Sequence, residues 1–409
     1  MAVMSSAEAP ELSDGGGLRN ASRPLTVLQA LPRLDIGGVE RGALEIARAI
    51  VEAGGRAIVA SEGGRLAGRL TGMGAELAVL PMASKNPLTI LANAGRLARL
   101  IRAREVDVVH ARSRAPAWSA WLAARRTGTP FVTTWHGVYG EKEPFKRLYN
   151  SVMCKGRPTI AISQFIADLI RARHGLDPAH LVVIPRGADT AAFAEEAVGA
   201  ERAVALAHAW GVVEDARPLA MLPGRLSKWK GQADFIAAAA RLKSRRGPDF
   251  LCLIVGEDGG SGQAARLTAQ AAALGAQDVV RLVGPCDDMP AAYKLASVVV
   301  SASTDPEAFG RVAVEAQAMG RPVIATDHGG ARETVADGKT GWLYPPGDAQ
   351  ALAEALDRAL SLDASARAHM GMAGRARVAS LFTVAAMQRA TLRVYEAAAG
   401  RTFGARLGG

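Results

Sequence analysis

Cysteine is scarce in this chain. The three residues Cys154, Cys252 and Cys286 lie far apart and form no CxxC pair. That spacing excludes a disulfide framework and a zinc ribbon, and it points to a reducing compartment with no metal site. Long apolar runs are missing too, since none reaches the ~18 residues of a membrane span. The opening MAVMSSAEAPELSDGGG has neither the basic region nor the apolar core of a secretory signal, and reads as a flexible tail over residues 1–23. The expected location is cytoplasmic, with a peripheral position at the inner membrane left open. No helix-turn-helix, RNP-like or zinc pattern is present, which counts against a nucleic-acid partner.

What is there reads as globular: 49% of the 409 residues are apolar and 22% charged. A chain of this length accommodates about two to three domains. The net charge of +10 is unevenly spread. Between Lys85 and Arg157, fourteen Lys or Arg stand against four acids, an excess as large as that of the whole chain. A basic first half suits an anionic partner: acidic lipid, anionic glycolipid or, on charge alone, nucleic acid. A solvated helix surface is the bland alternative.

Strand and helix patterns alternate. In the first half, strands are read at Leu25–Leu31, Arg56–Ala60, Glu76–Leu80, Val106–His110, Phe131–Thr134, Thr159–Ile162 and Leu181–Ile184. Helical spacing falls between them at Val39–Ala53, Leu66–Met73, Thr89–Arg104, Ala115–Arg126 and Gln164–Arg173. Repeated strand–helix pairs mean a doubly wound parallel sheet. The pattern restarts at Pro218–Leu222 and continues through Phe250–Val255, Val279–Val283, Ser297–Val300 and Pro322–Thr326. The resulting division is 24–190 and 216–380, joined by an Ala-rich connection at 191–215. A helix over 381–400 crosses back to the first domain, and a frayed tail covers 401–409. Asp287 and Asp288 read as helix caps rather than metal ligands.

Several loops at strand ends carry the candidate chemistry, where open parallel sheets place ligands. Gly37 and Gly38 follow the first strand and open a helix, so backbone there can approach a phosphate. His110 and His136 end two later strands. Arg225 and Lys230 stand five residues apart in a Gly-containing loop, a spacing suited to a diphosphate. In SASTDPEAFGRVAVEAQAMGRPVIATDHGG, Ser301 to Gly330, Glu307 lies in a loop and Glu315 in the helix after it. The start of that helix, with its free N–H groups and partial positive charge, favours an anion, while the carboxylates accept hydroxyls.

Glu307 and Glu315, in the context EAFGRVAVEAQAMGRPVIATDHGG, resemble the signature of glycosyltransferase family 4. The resemblance extends from about Leu25 to about Ala398. It implies a GT-B fold, with two Rossmann-like doubly wound parallel-sheet domains facing across a cleft. It implies a retaining transfer of a hexose from a UDP- or GDP-sugar to a glycan or glycolipid acceptor, with no metal or other cofactor required. By resemblance, Gly37 and Gly38 abut the donor phosphate, and Arg225 and Lys230 clamp the pyrophosphate. Glu315 accepts ribose hydroxyls, Glu307 holds sugar hydroxyls beside the N–H groups of Phe309 and Gly310, and His136 contacts the sugar near its anomeric carbon. His110 mainly organises the cleft. Pro185-Arg186-Gly187-Ala188-Asp189 resembles the family's Pro-Asn-Gly-x-Asp turn, with Arg in place of Asn; Arg186 either reaches a phosphate or stabilises the hinge.

Glu141 to Arg157 reads as a basic amphipathic helix, with Phe145, Leu148, Tyr149, Val152 and Met153 at helical spacing beside Lys142, Lys146 and Arg147. Such a helix either lies on an anionic membrane or buries an ordinary stripe. Resemblance to relatives with lipid-linked acceptors favours the membrane. The wording GRVAVEAQAMGRPVIATDHGGARET is similar to bacterial enzymes of lipopolysaccharide core or other envelope polysaccharide synthesis. The alternatives are an isomerase of the UDP-sugar epimerase type, which also pairs two such domains, and a basic nucleic-acid-binding protein.

Overall fold

The computed structural model describes residues 23–35 and 37–404. Most of the expected N-terminal tail (1–22) and the last residues (405–409) lie outside that range.

The first domain is built on seven parallel strands: β1 (Thr26–Ala30), β2 (Arg56–Ser61), β3 (Glu76–Val79), β4 (Val108–Ala111), β5 (Phe131–Trp135), β6 (Thr159–Ala161) and β7 (Leu181–Val183). Their order is β3-β2-β1-β4-β5-β6-β7. The strand order therefore reverses beside β1, and α1 (Gly38–Glu52) starts at that crevice. Helices α2 (Ala67–Gly72), α3 (Pro87–Ala103), α4 (Arg114–Thr127), α5 (Pro144–Asn150) and α6 (Gln164–His174) complete the windings. Covered on both faces, the central strands are buried along their length; every residue of β1 is buried, Thr26 and Gln29 included, in a mainly apolar run typical of parallel sheets. Local signals set the helix starts. Asn86 accepts from the amides of Leu88 and Thr89 while Pro87 takes the first turn of α3, a position where its missing N–H costs nothing.

The second domain carries six parallel strands in the order β10-β9-β8-β11-β12-β13: β8 (Leu219–Pro223), β9 (Leu251–Val255), β10 (Val280–Gly284), β11 (Val298–Ser301), β12 (Val323–Thr326) and β13 (Gly341–Tyr344). Between the two sheets runs α7 (Ala200–Ala209); the second sheet is wound with α8 (Gln232–Arg246), α9 (Gln263–Ala273), α10 (Met289–Leu295), α11 (Arg311–Ala318), α12 (Ala331–Thr334) and α13 (Ala349–Leu360). Asp288 caps α10 by accepting from the Ala291 amide. Two helices end the chain, α14 (Ala364–Leu381) and α15 (Val384–Ala399). Among the described residues no helix is long and apolar enough to cross a membrane.

Three features differ from the sequence reading. The segment Glu141–Arg157 is not one helix: α5 stops at Asn150 and a tight 3-10 turn, Ser151–Lys155, follows. The break swings Val152 and Met153 into the core but leaves Phe145 84% and Leu148 63% exposed, so the five apolar residues share no single stripe. Within the Ala-rich connection 191–215, α7 packs against α10 and Lys294 donates to the Glu195 and Val198 carbonyls. Helix α14 carries small residues on most faces and no clear apolar stripe, which left it unread; Gly371 and Gly374 let it press on the Gly320 backbone and Gln317. The ends of the domain are tied rather than frayed. Arg23 pairs with buried Asp107, and Phe403, 5% exposed, joins the core of the first domain.

Helix α15 belongs to the first domain although it follows the second in sequence. It packs on α1, with Gln388 donating to the Glu45 carbonyl and Tyr395 enclosed beside β4. The return passes through a tight crossing at which Ala188 exchanges backbone hydrogen bonds with Phe382 and Val384. Gly187 lies against this strand pair, and a Cβ there would stand 2.3 Å from Val384 N. Backbone atoms cannot yield as a side chain can, so Gly187→Ala is expected to cost about 1–3 kcal/mol. Urea unfolding of the two proteins checks this; an unchanged midpoint would show that the crossing is looser than described.

Candidate active site

The carboxyl edges of the two sheets face each other across a cavity of about 1120 Å³, whose lining includes His136, Tyr139, Lys142, Arg173, Trp229 and Glu307. On the second domain, the loop after β8 carries Arg225 and Lys230. Gly231 closes that loop at φ +72°, and a Cβ on it would lie 1.9 Å from the Ala302 carbonyl oxygen. Only glycine lets the two loops meet. As a result Lys230 Nζ donates to Glu307 Oε1 at 2.5 Å, and Ser303 Oγ donates to the same oxygen at 2.6 Å. Lys230 also lies 4.3 Å from the centre of the Trp229 ring. Arg225 is exposed and has no side-chain partner among the described residues. It stands near Glu40, whose carboxyl is pushed up chiefly by burial and pulled back in part by Arg225.

Glu315 is held differently. Helix α11 begins at Gly310, φ +96°, and turns Glu315 inward until it is 6% exposed. Its Oε1 accepts from Arg41 and Arg311, each at 3.2 Å, and its Oε2 accepts from the Tyr293 hydroxyl at 3.2 Å. Burial first, then the Glu315 charge, drive the Tyr293 phenol well above its ordinary range. Phe309 is 3% exposed and meets Phe382 edge-on at 5.6 Å, so the loop holding Glu307 is anchored from behind.

On the first domain, α1 opens at Gly38 with no side-chain cap, leaving its first amides without helical partners. Arg186 lies beneath it, 5% exposed, donating to the Gly38 carbonyl at 2.8 Å and lying 3.7 Å from Glu45. It passes so close to α1 that a Cβ on Gly42 would stand 2.0 Å from its guanidinium. Arg186 thus supports the start of α1 in its own domain, a role that the sequence reading did not name. His110 is enclosed, with Nδ1 2.6 Å from the Tyr395 hydroxyl and Nε2 2.7 Å from Thr134 Oγ1. His136 is half-buried at the cavity wall; its Nε2 is shielded and has no partner among the described residues. Burial, then the Arg186 and Arg112 cations, hold its imidazole well below its ordinary pKa, so it is neutral at neutral pH. Lys142, Phe145, Lys146 and Arg147 are exposed at the outer rim, while Tyr149 is half-buried. Among the described residues, no group of three or more His, Cys, Asp or Glu is placed to hold a metal ion.

Of the residues read from sequence, His136 and Glu307 line the cavity, Lys230 is joined to Glu307, Glu315 is held by Arg41 of α1, Arg225 stands near Glu40 of the same helix, and Gly38 lies against Arg311. Sequence reasoning passed over Tyr293 and Arg311. The second had a signal: it stands four residues before Glu315 on one helix, the spacing of a side-chain pair.

Residues 36–192 match the family model Glycosyltransferase Family 4, and residues 211–377 match Glycosyl transferases group 1. A solved glycosyltransferase of Rickettsia africae ESF-5 is 36% identical, with a TM-score of 0.85 over 92% of this chain and 98% of that one. The chain belongs to this glycosyltransferase family. The chain also resembles HepE of Anabaena, solved with UDP-glucose, at 25% identity and TM-score 0.78 over 91% of this chain and 100% of that one. A D-inositol 3-phosphate glycosyltransferase of Salinispora tropica is 32% identical over 64% of this chain and 58% of the relative. The aligned part spans about three fifths of such curated relatives, with 64% and 63% covered in the next two. The two facing parallel-sheet domains are the GT-B arrangement.

The two shielded imidazoles make the fold sensitive to acid. His110 and His136 are both held below their ordinary pKa, in each case chiefly by burial. Below about pH 6.5 the unfolded chain therefore binds protons that the folded chain refuses. Stability falls as pH drops through that value, by up to about 1.4 kcal/mol per pH unit for each histidine. Thermal melts between about pH 7.5 and 5 read the slope, and His136→Asn is expected to make it shallower by about one proton. Equal slopes would mean that His136 takes up its proton freely in the folded state.

Proposed function

We propose that the transferase moves a hexose from a UDP- or GDP-sugar to a glycan or glycolipid, with retention of anomeric configuration. One arrangement carries this reading: the uncapped start of α1 lies against Arg311 and reaches Glu315 through Arg41, Arg225 stands near Glu40 of the same helix, and Lys230 pairs with Glu307 on the cavity wall. Cations and free amides suit a diphosphate, and carboxylates suit hydroxyls. HepE, solved with UDP-glucose, supports the donor class.

In this reading Glu315 accepts the ribose hydroxyls, while Glu307 and the Phe309 and Gly310 amides hold those of the sugar. As the bond from C1 to the leaving oxygen breaks, negative charge grows on the β-phosphate. Arg225, Lys230 and the Gly37-Gly38 amides stabilise it, a contribution larger in the transition state than in the bound donor. Lys230 already holds Glu307, so one ion pair links the charge-stabilising side of the site to the sugar-holding side. A neutral His136 faces the sugar without repelling the developing oxocarbenium charge. Attack comes from the same face as departure, and the leaving phosphate takes the acceptor's proton. Neither a metal nor another cofactor takes part in this scheme. Burial of the donor between the domains keeps water from the reacting carbon.

The acceptor half rests on the basic stretch and on α5. Phe145 and Leu148 protrude among Lys142, Lys146 and Arg147, a composition that enters the headgroup region of an anionic bilayer. A lipid-linked acceptor in lipopolysaccharide core or other envelope polysaccharide synthesis fits that face, and places the enzyme at the inner surface of the membrane.

Two measurements test the two halves. In thermal-shift titrations with UDP, GDP and ADP, one nucleotide is expected to stabilise by about 2.7 kcal/mol at ~100 times its dissociation constant, and Arg225→Ala to lose that shift. No shift with any nucleotide removes the donor reading. In co-sedimentation, the enzyme is expected to bind phosphatidylglycerol vesicles over phosphatidylcholine vesicles, and the double variant Phe145→Ser, Leu148→Ser to bind several-fold less. Equal binding by that variant, or preferential retention on DNA, removes the membrane half.

A further inference from the structure

Two ion pairs cross the cleft beside the donor site. Arg41, in the first turn of α1, donates to Glu315 of α11 at 3.2 Å. Glu45, one turn further along α1, lies 3.8 Å from Arg311 of α11. Arg311 donates to Glu315 at 3.2 Å, and Glu45 lies 3.7 Å from the buried Arg186. Acid and base therefore alternate from one domain to the other and back. The helix start is close as well, since a Cβ on Gly38 would touch Arg311 Cδ at 4.0 Å.

The partners of Glu315 are unequal. Its own side chain is 8% exposed, that of Arg311 21% and that of Arg41 52%; Tyr293 is 1% exposed. Tyr293 and Arg311 come from the same domain as Glu315 and move with it. Arg41 comes from the opposite domain and has no other side-chain partner among the described residues. Three donors fill three of the roughly four acceptor sites of the Glu315 carboxylate, so a ribose that brings two hydroxyls must displace one donor. Arg41 is the one whose release strands no buried charge, because its guanidinium returns to water.

We propose that Arg41 is a positioning and binding residue of the donor site that changes partner when the nucleotide enters. In the structure it holds the Glu315 carboxylate. The ribose takes its place, and the freed guanidinium joins the Gly37-Gly38 amides on the diphosphate, one helical turn away. This rests on the reading of Glu315 as the ribose acceptor and of the α1 start as the diphosphate end. Arg41 thus opposes a nucleoside, which offers only hydroxyls, and favours a nucleoside diphosphate, which offers it a new anion.

Calorimetric titration of the full chain with uridine, UDP, guanosine and GDP separates the outcomes, using wild type, Arg41→Ala, Arg41→Gln and Arg41→Lys. The matching nucleoside is expected to bind Arg41→Ala about three- to tenfold more tightly than wild type, and its diphosphate about three- to tenfold more weakly. Arg41→Gln should follow Arg41→Ala and covers the case in which the alanine variant does not fold. Arg41→Lys should keep most of the diphosphate affinity. Loss of a merely structural contact would move both ligands in the same direction; that result, or no change in either, overturns the proposal. Arg225→Ala, run alongside, keeps the two readings apart. If it loses the diphosphate while Arg41→Ala behaves as wild type, only the exchange fails; if wild type binds no nucleotide, both fail.

Discussion

A carboxylate of one domain closes the end of a helix of the other. Helix α6 starts with amides that have no partner inside the helix, and Glu333 accepts from two of them, Gln164 N at 2.8 Å and Phe165 N at 2.7 Å. Ser163, whose hydroxyl oxygen accepts from the Ile166 amide, donates across the same boundary to the Ala308 carbonyl. An anion at a helix N-terminus is favoured by both the free N–H groups and the helix dipole. This contact sets how the two sheets face each other. It also fixes the loop that carries Glu307, because Ala308 is the next residue and Gly330 N donates to the Glu307 carbonyl at 2.8 Å.

Opposite that fixed edge, the first domain holds buried cations under its ligand-facing loop. Arg112 is 2% exposed and Arg186 5%. Such charges are costly to bury unless their donors are used. Arg112 donates to Gln29 at 2.6 Å, and burial lowers its pKa while Tyr395 raises it again; Arg186 has Gly38 and Glu45. Burial first, and then these two cations, keep His136 neutral, and Arg186 holds the start of α1 in place. Tyr395 comes from α15, so the chain's last helix completes the polar floor beneath the chain's first loop. Neither domain owns the cleft alone.

Much of this was legible in the chain before any coordinates. Repeated strand–helix pairs with Gly-rich loops read as two doubly wound parallel sheets, and the loops at strand ends read as the site. The match held where periodicity is strong, as in β1, α1 and α11. It failed where tertiary contacts replace local pattern. Helix α14 presses small residues on its neighbours and shows no apolar stripe. Residues 141–157 carry helical spacing, yet the chain tightens after Asn150, so Phe145 and Leu148 point outward while Val152 and Met153 turn in. Phe403 sits five residues from the last helix's Ala398 and looked frayed, but the core of the first domain receives it.

The sequence by itself determined which chemistry the chain can offer. Glycines sit where backbones must touch, two cations stand five residues apart in one loop, and two carboxylates are separated by seven residues around a helix start. These follow from local backbone geometry, which short stretches of sequence encode. Only the tertiary structure decided which charges meet. Arg41 and Glu315 are 274 positions apart, and Glu333 reaches α6 across 169 positions. A pairing over such distances depends on how two sheets and a returning helix settle against each other, which is a property of the packed whole.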